Sequence, residues 1–371
     1  MNRRTFLKTS LLFAPLLPLR FADAAGDAIV IGQSCALSGV SAALGTEMQL
    51  GAKLWFDAVN RKGGIRGQRL ELVTLDDGYE PERAAKNTEL LIGKHNVQAL
   101  FGYVGTPTAN AARPIFEREQ VPFVAPFTGA QSLRTAQSSL IYNIRASYDD
   151  ETDRLVKHFA TIGLKRIGIA YQDDAYGKAG LEGVEKALAA HGAKLVAQTT
   201  LTRNSTDVQA AVASLTRSEA TDALIIVSTY APTAALIKEL RRKNYLATFA
   251  TLSFVGSSAL QEALGKDADG VVVSQVVPWG ADPVVSEFKK LLAQEHPGRA
   301  PTHTALEGFI GAKGLELALQ RSRSSSRADL VASLSQTRAD LGGFKIDFSD
   351  KRRSGRFTDL VMLKKGGLVV S

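Results

Sequence analysis

The chain of 371 residues is 45% hydrophobic and 22% charged, a balance that is typical of globular proteins and argues against a disordered or fibrous chain. Its length exceeds what one hydrophobic core usually holds and predicts two domains. The net charge of +8 falls to +5 without residues 1–25, which carry four basic residues and one acidic residue. The densest basic groups that remain, at 321–327 and 351–353, lie in predicted surface loops without interleaved aromatic residues. We therefore expect no nucleic-acid partner.

Residues 1–25 have the pattern of an export signal. Arg3-Arg4 is a twin-arginine pair, an apolar run covers 11–19, and small residues near 22–25 offer a cleavage site. The apolar run is shorter than the roughly 20 residues of a membrane-spanning helix. We expect this signal peptide to be removed and the protein to be periplasmic, exported by the twin-arginine route. The single cysteine, Cys35, cannot form an internal disulfide and is expected to be a buried free thiol.

Next, short apolar strand patterns alternate with amphipathic helix patterns. Helices are expected at 47–60, from Pro81 and from Thr106-Pro107, where Pro suits the first helical position. The strands between them are predicted at 28–36, 69–75, 99–101 and 121–125. Such alternation predicts parallel strands with helices on both faces of the sheet.

The alternation starts again after residue 144, with a helix from Asp150. The further strands are predicted at 167–171, 195–199, 223–227, 249–252 and 271–277, and the further helices from Val208, Pro232, Ser257 and Val284 and at 304–321. Two short strands within 360–370 are expected to form an antiparallel edge. The predicted fold class is α/β, with two successive doubly wound lobes.

Two strand ends of the first unit place a hydroxyl beside glycine. Gly105-Thr106 follows one strand and opens a helix, and Phe127-Thr128-Gly129 follows the next strand. Open α/β sheets bind ligands at the carboxyl ends of their strands, and a helix start offers free N–H groups to an anion. The two turns suit a small carboxylate, although two ordinary strand–helix connections would give the same pattern.

Several motifs resemble the solute-binding proteins of ABC transporters of the leucine/isoleucine/valine-binding type. They are found at 36–39 (ALSG), 58–67 (AVNRKGGIRG), 76–81 (DDGYEP), 171–177 (YQDDAYG) and 341–344 (LGGF). The resemblance implies the type I periplasmic binding fold, with two Rossmann-like lobes joined by three hinge crossovers near 143–146, 272–275 and 341–343. Lobe 1 would comprise 27–144 plus 275–340, and lobe 2 would comprise 145–274 plus 341–371. The implied function is capture of a ligand by hinge closure and delivery to the permease and ATPase subunits of an importer.

The same resemblance implies the positions of the ligand contacts. The hydroxyl that holds the ligand carboxylate falls on Thr106, and a second turn falls on Phe127-Thr128-Gly129 with one residue of ambiguity. The tyrosines of the second lobe fall on Tyr176 and Tyr230, although packing at the domain edge is the alternative for both. The aromatic contact of the first loop falls on Leu44.

The acid that pairs with the ammonium of an amino acid falls on or next to Ser253, and no carboxylate lies between 248 and 260. A buried ammonium without a partner is costly. We therefore expect a small carboxylate with an apolar or aromatic body and no free amine, unless Asp76, Asp77 or Asp173 reaches the site. For Asp76 and Asp77, turn formation is the alternative. An amino acid ligand remains open.

Catalysis is not expected. The five histidines lie apart in the sequence without the spacing of a metal site, and neither a nucleophile elbow nor a phosphate loop is present. We expect neither cofactor nor metal. A binding sensor of the same fold that signals to a receptor or regulator is the alternative to transport, and an enzyme is a less favoured one.

Overall fold

The computed structural model describes residues 28–135, 137, 139–350, 355–365 and 367–370. The expected export signal lies outside these residues. None of the described helices is both long and apolar enough to cross a membrane.

A five-stranded parallel sheet, with the helices that pack on it, forms the first lobe. The strand order is β2-β1-β3-β4-β5. The elements in chain order are β1 (Ile29–Cys35), α1 (Ala42–Arg61), β2 (Leu70–Asp76), α2 (Pro81–Gly93), β3 (Ala99–Phe101), α3 (Thr106–Arg118), β4 (Phe123–Val124) and β5 (Ile141–Tyr142). The helix predicted to start at Thr106-Pro107 is confirmed. Cys35 is buried and free, as expected.

A seven-stranded sheet forms the second lobe, with strand order β14-β13-β10-β9-β8-β6-β7. Its first elements are α4 (Tyr148–Thr161), β6 (Arg166–Gln172), α5 (Ala175–His191), β7 (Lys194–Leu201), α6 (Gln209–Arg217), β8 (Ala223–Val227), α7 (Tyr230–Arg242), β9 (Thr248–Thr251), α8 (Ser257–Leu264) and β10 (Val272–Gln275). Strands β6 to β10 are parallel. The sequence therefore folds as the two α/β lobes that its alternation predicts.

The chain then returns to the first lobe before it completes the second sheet. The remaining elements are α9 (Pro283–Glu295), α10 (His303–Arg321), α11 (Arg327–Leu334), β11 (Arg338–Asp340), β12 (Lys345–Asp347), β13 (Asp359–Lys364) and β14 (Gly367–Val370). Helix α10 packs tightly on α1, because a Cβ on Gly51 would overlap the backbone of Ala305. Strands β13 and β14 form the expected antiparallel edge.

Three connections join the lobes. The first runs from β5 to α4 and the second follows β10, which is itself a strand of the second sheet. The third runs from β12 to β13. We expected it at 341–343, and it lies after that segment. That segment is the turn of the β11–β12 hairpin, in which the Asp340 carboxylate accepts hydrogen bonds from the N–H groups of Gly342 and Gly343. Gly342 also accepts a backbone hydrogen bond from Val284 of α9, which holds the hairpin on the first lobe.

Candidate ligand-binding site

Two buried threonine hydroxyls lie together at strand ends of the first lobe. The Oγ1 atoms of Thr106 and Thr128 are 2.7 Å apart, and that of Thr128 is 3.1 Å from the hydroxyl oxygen of Tyr148. Thr106 is the first residue of α3, and Gly105 before it has φ +106°. A Cβ at Gly105 would overlap the ring of Tyr79. Glycine is therefore required for this turn to bring Thr106 to the cleft.

Aromatic rings from both lobes meet around Phe254. Its ring centroid lies 4.5 Å from that of Tyr176, 5.3 Å from Phe127 and 6.1 Å from Tyr79. Phe254 and Tyr176 belong to the second lobe, and Phe127 and Tyr79 to the first. The cleft between the lobes is therefore closed and has a largely aromatic wall, as is usual for small-ligand sites.

A buried ion pair lies beside these rings. Arg145, in the first crossover, places Nε 2.9 Å from Oε1 of Glu307 on α10, and its Nη2 donates to Oε2 of Glu307 at 3.1 Å. Nη2 also donates to Oγ of Ser253 at 2.9 Å, and the guanidinium lies 4.4 Å from the Phe127 ring centroid. Burial raises the pKa of Glu307, and the charge of Arg145 opposes this rise. The pair links the first lobe, the crossover and the second lobe.

Glu151, in the first turn of α4, is a second buried carboxylate. Its Oε2 accepts hydrogen bonds from the backbone N–H of Ser253 at 2.8 Å and from Oγ of Ser274 at 2.6 Å. Helix α4 starts at a capping box between Ser147 and Asp150, which fixes the direction of the first turn. The sequence has no carboxylate between 248 and 260, and the expectation of an amine-free ligand assumed that none lies beside Ser253. In the structure the carboxylate of Glu151 lies there, so this assumption does not hold.

Five buried polar atoms of Arg145, Glu151, Glu307 and Tyr176 have no hydrogen-bond partner among the described residues. They are Nε and Nη1 of Arg145, Oε1 of Glu151, Oε1 of Glu307 and the hydroxyl of Tyr176, although Nε of Arg145 and Oε1 of Glu307 lie 2.9 Å apart in the ion pair. Burial raises the pKa of Tyr176 well above its ordinary value, with smaller contributions that include the charges of Glu151 and Arg145. We call Thr106, Thr128, Arg145, Glu151 and Glu307 the cleft floor.

A second set of contacts joins the lobes at the edge of the cleft. Arg203 of the second lobe lies 2.9 Å from Oε2 of Glu80 in the first, and Nδ2 of Asn204 donates to Oε1 of Glu80 at 2.7 Å. The Tyr230 hydroxyl accepts a hydrogen bond from the N–H of Ala43 at 3.4 Å. We call Ala43, Glu80, Arg203, Asn204 and Tyr230 the cleft rim.

Three further residues expected to contact the ligand lie at different positions around the cleft: Gly129, Ser253 and Leu44. The backbone carbonyl of Gly129 accepts a hydrogen bond from the backbone N–H of Tyr148 at 2.8 Å and so supports the floor. Ser253 lies between Arg145 and Glu151, with contacts to both. Leu44 is buried near the rim, where a Cβ on Gly256 would lie 2.6 Å from it.

The three aspartates proposed as substitutes for the missing acid have other contacts. The Asp76 carboxylate accepts a hydrogen bond from the backbone N–H of Leu37 at 2.8 Å and forms an ion pair with Arg83. The Asp77 carboxylate accepts hydrogen bonds from the hydroxyl of Ser34 at 2.7 Å and from the backbone N–H of Tyr79 at 2.8 Å. Asp173 is exposed and lies 3.8 Å from Lys178. The contacts of Asp76 and Asp77 fit turn formation, the alternative given for them above.

The structure brings the predicted threonines and Tyr176 to the cleft, together with Arg145, Glu151 and Glu307, which sequence reasoning did not point to. The acidic run 149–151 is the one available signal, and it has the ordinary appearance of a helix N-terminus. Among the described residues, no group of three or more His, Cys, Asp or Glu side chains is arranged to hold a metal ion.

Two α/β lobes joined by three crossovers around a closed cleft are the architecture of the type I periplasmic binding fold. Residues 28–363 match the family described as periplasmic binding protein, and the chain belongs to that family. Within the family it is of the leucine/isoleucine/valine-binding type, as the motifs predicted.

Named relatives agree with this assignment. The leucine-specific-binding protein of Salmonella typhimurium is 24% identical over 346 residues, which cover 92% of each chain. The structure of a possible leucine/isoleucine/valine-binding protein from Rhodopirellula baltica has a TM-score of 0.90 at 33% identity, and covers 94% of this chain and 96% of its own. A substrate-binding periplasmic protein from Ralstonia solanacearum has a TM-score of 0.87 at 31% identity, and covers 92% and 100%.

Proposed function

We propose that this protein is the periplasmic substrate-binding component of an ABC importer, and that it traps a small carboxylate-bearing ligand between its lobes. The observation that carries the proposal is the pair of buried hydroxyls of Thr106 and Thr128 at the ends of neighbouring parallel strands. Hydroxyl and helix-start N–H donors at one point suit a carboxylate, since charge-assisted hydrogen bonds are the strong ones.

Binding in this proposal proceeds by closure. The ligand first contacts Thr106 and Thr128 on the first lobe, with Gly105 and Phe127 beside them. Tyr176 and Phe254 then close over it from the second lobe, and the contacts of the rim form last. The ligand shifts an open–closed equilibrium by binding better to the closed state.

The proposal extends to location and partners. The twin-arginine pattern at Arg3-Arg4 supports export by that route, and membership of the family supports a periplasmic location and delivery to permease and ATPase subunits. We propose no catalytic step and no cofactor. We also assign the β11–β12 hairpin to the first lobe, because Phe348 after it lies 5.7 Å from Tyr142 of β5, measured between ring centroids.

A ligand screen tests the proposal. A thermal-shift screen of the purified protein with amino acids, aliphatic and aromatic acids and dicarboxylates is expected to show stabilisation by at least one carboxylate, because binding to the folded state raises its stability. For that compound, calorimetry on Thr106→Ala and Thr128→Ala is expected to show a Kd raised about 10- to 100-fold, the usual value of a hydrogen bond to a charged group.

Thr216→Ala is the matched control. Thr216 lies on the exposed side of α6, where its hydroxyl donates to the carbonyl of Val212 at 2.8 Å, and its loss is expected to leave Kd unchanged. Stabilisation by no acid in the screen, or an unchanged Kd in both threonine variants, would contradict the proposed carboxylate site.

A further inference from the structure

The imidazole of His303 lies where both lobes and the second connection meet. His303 is the first residue of α10 in the first lobe, and its Nδ1 lies 3.4 Å from Oγ of Ser257, the first residue of α8 in the second lobe. The imidazole stacks on the ring of Trp279 in the connection, with 4.0 Å between the ring centroids. His303 is only 4% exposed. The closed arrangement of the lobes therefore covers this ring.

The start of α8 packs directly against the first lobe at this point. Gly256, just before Ser257, has φ +73°, and a Cβ there would lie 2.6 Å from Leu44 on α1 and 3.7 Å from Oγ1 of Thr304 on α10. These contacts join the two lobes, so they are lost when the cleft opens. Opening therefore takes Ser257 away from His303 and exposes one side of the ring to water.

The surroundings of the covered ring disfavour a charged imidazole. Nε2 of His303 has no hydrogen-bond partner among the described residues, so a protonated ring would bury a charged N–H group without an acceptor, which is costly. A cation at the first residue of a helix also opposes the helix dipole. Burial lowers the pKa of His303 from 6.5 to about 3, and the charge of Lys289 on α9 contributes to this change.

Among the described residues, no acid near the ring offsets these effects. Four acidic residues lie on the elements around it, and none of them raises its pKa: Glu47 on α1, Glu262 on α8, Asp282 just before α9 and Glu307 on α10. Glu47 and Glu307 are already paired with Arg299 and Arg145, and Glu262 is exposed. The imidazole is therefore neutral in the closed protein, whereas an exposed histidine titrates near pH 6.5.

We propose that His303 is a proton-sensitive contact of the closed state: the lobes close around its neutral imidazole, and protonation in acid opens the cleft and weakens ligand binding. Closing then releases one proton from the imidazolium to the solvent. The inference rests on the proposed function, because it assumes that the ligand is held in the closed state. A group with a lower pKa in the closed state than in the open state makes closing less favourable as pH falls below the open-state value.

Calorimetry at two pH values tests this coupling. Kd would be measured at about pH 7.5 and about pH 5 for L-leucine, for 3-phenylpropanoate and for any other acid that stabilises the protein in the screen. For wild-type protein, Kd is expected to be about 10- to 30-fold higher at the lower pH. In His303→Gln, which keeps a neutral polar side chain, this ratio is expected to fall to about threefold or less.

His191→Gln is the matched control. His191 lies at the end of α5 and contacts Asp153 at 2.6 Å within the second lobe, so its loss is expected to keep the full pH dependence of Kd. Titrating groups other than His303 contribute equally to wild-type protein and to His303→Gln, and the difference between these two proteins therefore belongs to His303.

The fluorescence of Trp279 gives a second measurement, which does not depend on how His303→Gln folds. In Trp55→Phe, Trp279 is the one tryptophan of the chain, and a protonated imidazole stacked on an indole ring quenches its emission. The pH of half-quenching is expected to fall by about one pH unit or more when one of the compounds that bind saturates the protein.

Equal Kd at both pH values in the wild-type protein, or a pH of half-quenching that does not move on binding, would overturn the inference and leave the proposed function in place. An unchanged pH dependence in a folded His303→Gln protein would overturn it as well. Binding of no acid in the screen at either pH would instead remove the proposed function, and the inference with it.

Discussion

The cleft floor and the cleft rim both join the two lobes, but their charges lie in opposite environments. On the floor, Arg145 and Glu151 are 0% exposed and Glu307 is 2% exposed. On the rim, the side chains of Arg203 and Glu80 are 26% and 39% exposed. Removing one partner of a buried ion pair costs several kcal/mol, whereas an exposed pair is worth about 0–1 kcal/mol. The floor is therefore expected to govern folding and ligand choice, and the rim only the closing of the cleft.

The largest loss of stability is expected from a substitution on the cleft floor. Arg145→Met keeps an unbranched side chain that fills part of the same space and leaves Glu307 buried without its cation. The free energy of unfolding is expected to fall by about 3–5 kcal/mol, measured by urea denaturation at neutral pH.

The double variant Arg145→Met/Glu307→Leu is expected to recover part of this loss, because it removes the isolated charge as well. Arg166→Met is the surface control, since Arg166 pairs with Asp222 at 2.6 Å on the outside of the second lobe. A loss below about 1 kcal/mol in the single variant, or no recovery in the double variant, would show that the floor behaves like the rim.

An intermediate loss of stability is expected from Asp77, whose carboxylate accepts a hydrogen bond from the backbone N–H of Tyr79, one of the rings around Phe254. Burial raises the pKa of Asp77 to about 6 in the folded protein, against an ordinary value of 3.8. A raised pKa means that the folded state binds this proton more tightly than the unfolded state. The resulting stability is present below the unfolded pKa and is lost as pH rises through about 6.

The free energy of unfolding of wild-type protein relative to Asp77→Asn is therefore expected to fall by about 1 kcal/mol between about pH 5 and about pH 7.5. Urea denaturation at several pH values measures this difference, in which the contributions of other groups cancel. Thr216→Ala, an exposed substitution that removes no titratable group, is expected to show no such trend. A flat difference for Asp77→Asn would mean that Asp77 titrates like an exposed aspartate.

The same contrast explains what could be predicted from the sequence. Strand and helix alternation is a local pattern, so it predicted both lobes, and Thr106-Pro107 marked the start of α3 to the residue. That Thr106 and Thr128 lie together at strand ends could be predicted because the strand-end rule connects a local motif to a place in the fold.

The charged floor could not be found in this way. Arg145, Glu151 and Glu307 lie in a crossover, a helix start and the middle of α10, and come together only through packing of the lobes. Each is an ordinary surface residue by its local pattern. The expectation of an amine-free ligand did not include Glu151 for this reason, since it considered only the sequence neighbours of Ser253 and the aspartates at 76, 77 and 173.

The smallest changes in stability and affinity are expected from a substitution on the cleft rim. Arg203→Ala removes the contacts with Glu80 at 2.9 Å and with Asp174 at 3.6 Å. The free energy of unfolding is expected to change by less than about 1 kcal/mol, because the pair is partly exposed. Kd for the ligand found in the screen is expected to rise by about 2- to 5-fold, since these contacts connect the two lobes in the closed state and favour closing.

Salt distinguishes this rim effect from a general loss of structure. Exposed charge pairs are screened at high ionic strength, so the affinity gap between wild-type protein and Arg203→Ala is expected to narrow when calorimetry is repeated in high salt. Arg166→Ala, which breaks a surface pair inside one lobe, is expected to leave Kd unchanged under both conditions. A loss of affinity in Arg203→Ala as large as that in Thr106→Ala, and insensitive to salt, would mean that the rim selects the ligand together with the floor.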